Sequence, residues 1–280
     1  MNGPNHSPAA NVNLDAYFAR IGYYGPRTPT LETLRALHAL HPASIPFEAI
    51  DVLLDRGIDI APEAIDAKLI DAARGGYCYE HNGLFKRVLM ALGFEVEGLA
   101  ARVRWMAPPD APPRPRTHMA LRVVIDGEPW LVDVGFGSVV LTTPLRFDVT
   151  EPQATRYETF RLTPLASGLM LEAQLGDEWV PVYELSSEVQ FDVDYELANW
   201  FTATHPSSHF RHDLIVALTT PRARYTLAHN RLSVRTPDGD LQRRLLSADE
   251  IERVLVETFG LRVEPDWRPI IERAVAMGSR

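Results

Sequence analysis

Two hydrophobic periodicities divide the chain. From residue 13 to residue 93 apolar positions recur at helical spacing. Asn13 is placed to cap a helix over "LDAYFARIGY". In "TPTLETLRALHALHP", Leu34, Leu37 and Leu40 fall near one face before Pro42, which is expected to stop the run. A third helix is predicted from Cys78, with Tyr77, Leu84, Val88 and Leu92 along one stripe and Gly93 as terminator. From residue 94 the pattern alternates. "FEVEGLAARVRW" reads as a strand, "APPDAPPRPR" (107–116) as a loop, and "THMALRVVIDGEPWLVDVGFG" as two strands around the turn Asp126-Gly127. The runs "YETFRLTPL", "GLMLEAQL" and "EWVPVYEL" extend an antiparallel sheet or barrel to about residue 195. The last third is mixed: a helix near "DYELANWFTA", then strands near "LIVALTT", "RYTLAHN" and "RLSVRTPDG". In a closing helix, Ser247 and Glu250 form a capping box ahead of Ile251, Val254, Leu255 and Phe259.

Composition narrows the setting. The chain is 46% hydrophobic and 23% charged, ordinary for a globular protein. Its 28 basic and 37 acidic residues give a net charge of −9, which argues against a nucleic-acid partner. A basic run at 219–235 is the one place suited to a phosphorylated ligand. No stretch has the length to cross a bilayer, and the polar start "MNGPNHSPAANVN" lacks the character of a secretory leader. One cysteine excludes an intrachain disulfide, so a reducing cytoplasm is the expected location.

That cysteine, Cys78 in "RGGYCYEHN", carries the chemistry. A zinc site needs clustered thiolates or imidazoles. Here the nearest pair, His205 and His209, is interrupted by Pro206, and no metal is expected. A free cysteine is often a buried filler. At a helix start, however, backbone N–H groups and the dipole favour the thiolate. A base and its orienting group are also in reach. His118, Ala120, Arg122 and Val124 share one strand face, and a two-residue turn at Asp126-Gly127 pairs Ile125 with Glu128. Counting back puts Asp133 opposite Ala120, on the face of His118 and about 7–8 Å from it across the diagonal. Asp133 interrupts an apolar strand, where a carboxylate is costly unless paired. His81 is the rival base. Cysteine, histidine and aspartate in this order suit a nucleophilic enzyme; hydrolysis and acyl transfer both remain open on these residues alone.

The blocks "YFARIGYYG" (17–25), "IPFEAID" (45–51), "RGGYCYEHN", "HMALRV", "VDVGFG" and "NWFTATHPSSHF" (199–210) together resemble the arylamine N-acetyltransferase family. The resemblance implies an α+β, three-domain, cysteine-protease-like fold. A helical bundle (1–93) would carry the nucleophile, an antiparallel β-barrel (94–210) the histidine and aspartate, and residues 211–280 an α/β lid. It further implies a triad of Cys78, His118 and Asp133 that takes acetyl from acetyl-CoA and passes it to an arylamine or hydrazine. Substrate contacts would come from Phe47, Phe136 and Phe210, with a backbone group near Val103 and the N–H of Cys78 facing the oxyanion. CoA contacts would come from Trp105, Gly135, Gly137, Ser138 and His209. The two glycines before Cys78 are expected to clear room for the acyl donor. The alternatives are a thiol hydrolase or transamidase, an amide synthase acting on a carrier-bound acyl chain, and a non-catalytic binding module. The papain-type signature around the cysteine is missing.

Overall fold

The computed structural model describes residues 12–108 and 110–278. The leader reading at 1–11, and Pro109 in the Pro-rich loop, lie outside the described residues. The helices begin where their caps dictate. The Asn13 side chain accepts the Ala16 N–H (3.1 Å) at the head of α1 (Leu14–Ile21), and Gly22, at φ 69°, closes it. Thr30 caps α2 (Leu31–Ser44) in the same way. Contrary to expectation, Pro42 does not stop α2. It sits in the last turn, where its missing N–H removes a single helical bond, and its ring is buried. The buried stripe of α2 is Thr33, Leu34, Leu37, His38, His41 and Pro42, with Leu40 only half-buried.

Between α2 and the nucleophile lie β1 (Phe47–Glu48), α3 (Ile50–Leu53) and α4 (Pro62–Asp66), the last running into a π turn (Ala67–Asp71). Helix α5 (Cys78–Ala91) follows and ends ahead of Gly93, at φ 90°. Strands β2 (Glu95–Val103), β3 (His118–Ile125), β4 (Glu128–Val132), β5 (Leu145–Arg146), β6 (Gln153–Ala154), β7 (Thr159–Leu165), β8 (Gly168–Leu175) and β9 (Glu178–Gln190) form one antiparallel sheet in the order β5-β4-β3-β2-β9-β8-β7-β6. Its two edges are bridged by the Gln153 amide, which accepts the Arg146 N–H (2.7 Å) and donates to the Arg146 carbonyl (2.9 Å), so the sheet is a nearly closed barrel. Alternation sorts β3 between two cores. Met119, Leu121 and Val123 pack with Leu84, Phe85 and Val88 of α5, while Ala120 joins Leu99, Leu131, Phe160 and Tyr183 inside the barrel.

Helix α6 (Asp192–Thr204) leads to β10 (Ile215–Thr219), β11 (Arg224–Ala228), β12 (Arg231–Arg235), β13 (Leu241–Leu245), α7 (Ala248–Glu257) and α8 (Arg268–Gly278). The second sheet runs β1-β10-β11-β12-β13, so a strand from the helical region is its edge. On its other side, β1 is tied to the loop before Cys78: Glu48 N–H donates to the Gly76 carbonyl (2.8 Å). This closeness explains the glycine pair. A Cβ on Gly75 would stand 2.1 Å from the Pro46 carbonyl oxygen, and one on Gly76 would stand 2.7 Å from Glu80 Oε2. The clearance serves the chain itself, the Pro46 carbonyl and the Glu80 side chain, rather than an acyl donor, which corrects the earlier expectation. No helix among the described residues is long and apolar enough to cross a membrane.

Candidate active site

Cys78 is the first residue of α5. Glu80 fixes that end of the helix by accepting the Tyr77 N–H (2.9 Å) while it pairs with Lys68 (2.7 Å). The thiol is 4% exposed and donates to the Thr117 carbonyl across 3.7 Å. Opposite it stands the β3–β4 hairpin. Its turn residues Asp126 and Gly127 both have positive φ (52° and 80°), the mark of a type I′ turn. The register pairs Ile125 with Glu128 and Leu121 with Val132, as the sequence count requires. His118 and Asp133 therefore share a face, and His118 Nε2 lies 2.7 Å from Asp133 Oδ2, both side chains being buried.

Burial alone would push the His118 imidazole down. The Asp133 charge and hydrogen bond, together with the Cys78 sulfur, outweigh it and raise the ring to about 10. Burial works in the opposite sense on Asp133. The charge and hydrogen bond of His118, the Asn82 amide and the Gly135 N–H prevail and hold this carboxylate below its ordinary range. At neutral pH the pair is an imidazolium facing a carboxylate, with Nδ1 left for Cys78.

Several supporting residues escape a reading of the sequence because their partners are backbone groups or lie far along the chain. Asn82, one turn into α5, donates to the Met119 carbonyl (2.7 Å) and to Asp133 Oδ1 (3.0 Å), and accepts the Val134 N–H (3.1 Å). The Gly135 N–H also donates to Asp133 Oδ1 (2.9 Å). Gly135 has no room for a side chain: a Cβ would stand 2.9 Å from Cys78 Cα, so its tight approach is to α5 itself. Tyr183 of β9 places its ring 5.0 Å from that of His118. Its buried hydroxyl leans toward Asp133 without a well-formed hydrogen bond, and burial with the Asp133 charge keeps it protonated.

The rival base, His81, is committed elsewhere. Its Nε2 lies 3.2 Å from the Pro46 carbonyl, so that nitrogen carries the proton and Nδ1 accepts from His41 Nε2 (2.8 Å). His41 Nδ1 in turn accepts the Tyr17 hydroxyl (2.8 Å). His38 Nε2 accepts the Asp133 N–H (3.3 Å). Burial lowers all three histidines, His38 and His81 to about 4 and His41 well below its ordinary value. Below the ordinary value of 6.5 the unfolded chain binds protons at these sites that the folded chain refuses. Stability is therefore expected to fall as pH drops from 6.5 toward 4, by about 1 kcal/mol per histidine per pH unit. Thermal unfolding at about pH 6.5 and pH 5 checks this, a range in which His118, raised to about 10, contributes no opposing change; an unchanged midpoint contradicts it.

The remaining expected site residues fall into three groups. Phe136 meets the His118 ring edge-on at 5.1 Å. Phe47 lies 6.0 Å from Phe210, whose ring also meets Tyr77 (5.6 Å) and His209 (4.0 Å), and Gly137, at φ 85°, presses against Phe47. The rings thus fall in two sets, Phe136 with His118 and Tyr183 on the barrel side and Phe47 with Phe210 and Tyr77 on the helical side. Val103 ends β2 opposite Tyr183 and half-buried Trp105 packs on the barrel core, while Ser138 is half-buried in the loop after Asp133. Partial enclosure lowers His209, the Asp213 charge opposes it, and the Arg114 charge of the Pro-rich loop adds to the lowering. No cluster of potential metal ligands occurs among the described residues.

An α+β chain with a cysteine at a helix start, beside a histidine–aspartate hairpin on a barrel, falls in the class covered by the family model described as N-acetyltransferase, which matches residues 30–268. The arylamine N-acetyltransferase of Mycolicibacterium smegmatis is 44% identical over 253 residues, covering 89% of this chain and 92% of that one. The Escherichia coli enzyme of the same name is 38% identical, with 90% and 89% covered. The solved structure of the M. tuberculosis arylamine N-acetyltransferase superposes with a TM-score of 0.89 at 38% identity, over 94% of this chain and all (100%) of that one. A Mycobacterium marinum arylamine N-acetyltransferase solved in complex with CoA gives 0.88 at 40% identity, over 94% and 98%. The chain belongs to the arylamine N-acetyltransferase family and is an acyltransferase.

Proposed function

We propose that the protein transfers acetyl from acetyl-CoA to the nitrogen of arylamines and arylhydrazines in two half-reactions, through an acetyl group carried on Cys78. The observation that carries this reading is the buried His118–Asp133 contact of 2.7 Å beside a cysteine at a helix start, in a chain of this family. In the first half-reaction the Cys78 thiolate attacks the thioester carbonyl. Its oxyanion faces the Cys78 N–H and a backbone group near Val103. Collapse breaks the bond to CoA sulfur, and His118 supplies the proton that leaves with CoA. In the second, the amine nitrogen attacks the acetyl-cysteine, His118 takes the amine's proton, and the thiolate departs. Asp133 holds the ring in the tautomer that both steps use.

Phe47, Phe136 and Phe210 suit a flat aromatic amine. Trp105, the Gly135, Gly137 and Ser138 loop and His209 would hold CoA. Under this reading residues 1–93 carry the nucleophile, 94–210 its base and orienting acid, and 211–280 brace the loop before Cys78 through β1. Burial of the thiol to 4% favours a slender thioester over a polypeptide, and so supports transfer over proteolysis. Initial rates with varied acetyl-CoA at several fixed aniline concentrations are expected to give parallel double-reciprocal lines. Intersecting lines, which require both substrates bound together, would rule the scheme out.

A further inference from the structure

Behind the start of α5 runs a chain of charged side chains that the proposed chemistry leaves unused. Lys68, in the π turn, sets its ammonium 2.7 Å from Glu80 Oε1 and 2.7 Å from Asp51 Oδ2. Arg74 shares Asp51 Oδ2 (3.2 Å) and reaches Glu48 Oε1 (2.8 Å), while Glu48 Oε2 accepts the Ile50 N–H (2.7 Å). Arg56 adds a longer contact to Asp51 (3.4 Å). Glu48 and Glu80 are buried, and the Lys68 side chain is mostly so. Ions taken out of water carry a desolvation cost. As a cap, moreover, Glu80 needs no charge, because glutamine fills that place in a capping box as well as glutamate does.

The charge acts through its place. Glu80 Oε2 is bonded to the N–H of Tyr77, the residue before Cys78, which keeps the carboxylate within about 10 Å of the sulfur. The helix start that favours a thiolate favours any anion, so Glu80 alone would compete with the sulfur for that end of α5. An ammonium bonded to the carboxylate removes the competition. Burial holds Glu80 above the ordinary carboxylate range, with Lys68 the main opposing cause. Burial also works against the Lys68 charge, but Glu80, Glu48 and Asp51 outweigh it and raise the ammonium above its ordinary value. The other titratable groups around the sulfur are His118 and Asp133 on the barrel, and the hydroxyls of Tyr77, Tyr79 and Tyr195, which burial keeps protonated.

We propose that Lys68 is a positioning residue for acyl transfer: acting through Glu80, it cancels the carboxylate charge at the head of α5 and so keeps the Cys78 sulfur nucleophilic. The inference rests on the reading of Cys78 as the nucleophile.

Alkylation by iodoacetamide, followed by intact-protein mass from about pH 5 to pH 9, brackets the thiol range and tests this. Cys78 is the one cysteine of the chain, so every cysteine adduct reports on it. Lys68→Gln keeps a donor for Glu80 and removes the charge. It is expected to move the rising limb of the alkylation profile about one pH unit upward, roughly a tenfold loss of rate at a fixed pH on that limb. Glu80→Gln keeps an acceptor for the Tyr77 N–H and leaves the ammonium in excess, so its limb moves downward. The double variant, an amide pair in place of the ion pair, returns to within about threefold of wild type. Opposite shifts separate this role from damage to the fold, which would move both single variants the same way. Melting curves identify the folded chains; should Lys68→Gln not fold, Glu80→Gln alone decides, and an unmoved limb overturns the proposal. A folded Lys68→Gln protein with the wild-type profile, or single variants that shift in the same direction, overturns it equally. Alkylation involves no acetyl group, so these shifts stand or fall separately from the transfer scheme.

Discussion

Replacing Cys78 with alanine is expected to lower kcat/KM for acetyl transfer by at least about 10⁴-fold, since the proposed reaction loses the atom that carries the acetyl group. The fold should tolerate the change. The thiol makes only a weak contact to the Thr117 carbonyl and the one that helps raise His118, and alanine is a good helix former at the first position of α5. The thermal midpoint is expected to stay within a few degrees of wild type. Activity and stability thus separate, and steady-state rates with acetyl-CoA and aniline, beside a melting curve, show whether they do. Retained activity in a folded Cys78→Ala protein would refute the proposed chemistry.

The second large effect is expected at Asp133. Asparagine preserves its volume, and its carbonyl oxygen can still accept from the Asn82 amide and the Gly135 N–H, as Asp133 Oδ1 does now. Its amide nitrogen then faces His118 Nε2 as a donor, and the imidazole must turn that nitrogen into an acceptor. The proton moves to Nδ1, the nitrogen left for Cys78, so the ring can no longer take a proton from the incoming amine. A loss of about 10³–10⁴-fold in kcat is expected, the scale seen when a triad histidine is held in the wrong tautomer. The pH dependence should change with it. Burial, the largest cause and a lowering one, is then opposed only by Cys78, because Asp133, the main group that raises His118 to about 10, is gone. Full activity with an unaltered pH–rate profile in Asp133→Asn would remove the orienting role and leave the cysteine's role standing.

What was legible in the sequence was what depends on local chemistry and parity. The Asp126-Gly127 turn fixed the β3–β4 register, and a one-residue slip would have sent His118 and Asp133 to opposite faces. The start of α5 was readable from its glycines and the apolar stripe, and α1 and α7 from Asn13 and Ser247. Elements without alternation were not readable: β13 is exposed along its whole length, so no pattern distinguishes it from a loop. The grip on Asp133 was hidden for a different reason. Asn82 and His38 act through backbone groups or across 51 and 95 residues, and neither leaves a local trace. The glycines before Cys78 were recognised, but their purpose was misjudged, because only the tertiary structure shows β1 lying against them.

The central claim is that Cys78 carries the acetyl group between the two substrates. Intact-protein mass spectrometry, followed by peptide mapping after incubation with acetyl-CoA alone, tests it most directly. The account predicts one added acetyl group per chain, located on the peptide containing Cys78 and lost when aniline is added, with acetanilide appearing in equal amount. An unmodified protein that nevertheless acetylates aniline, or an acetyl group on another residue that aniline discharges, would contradict it.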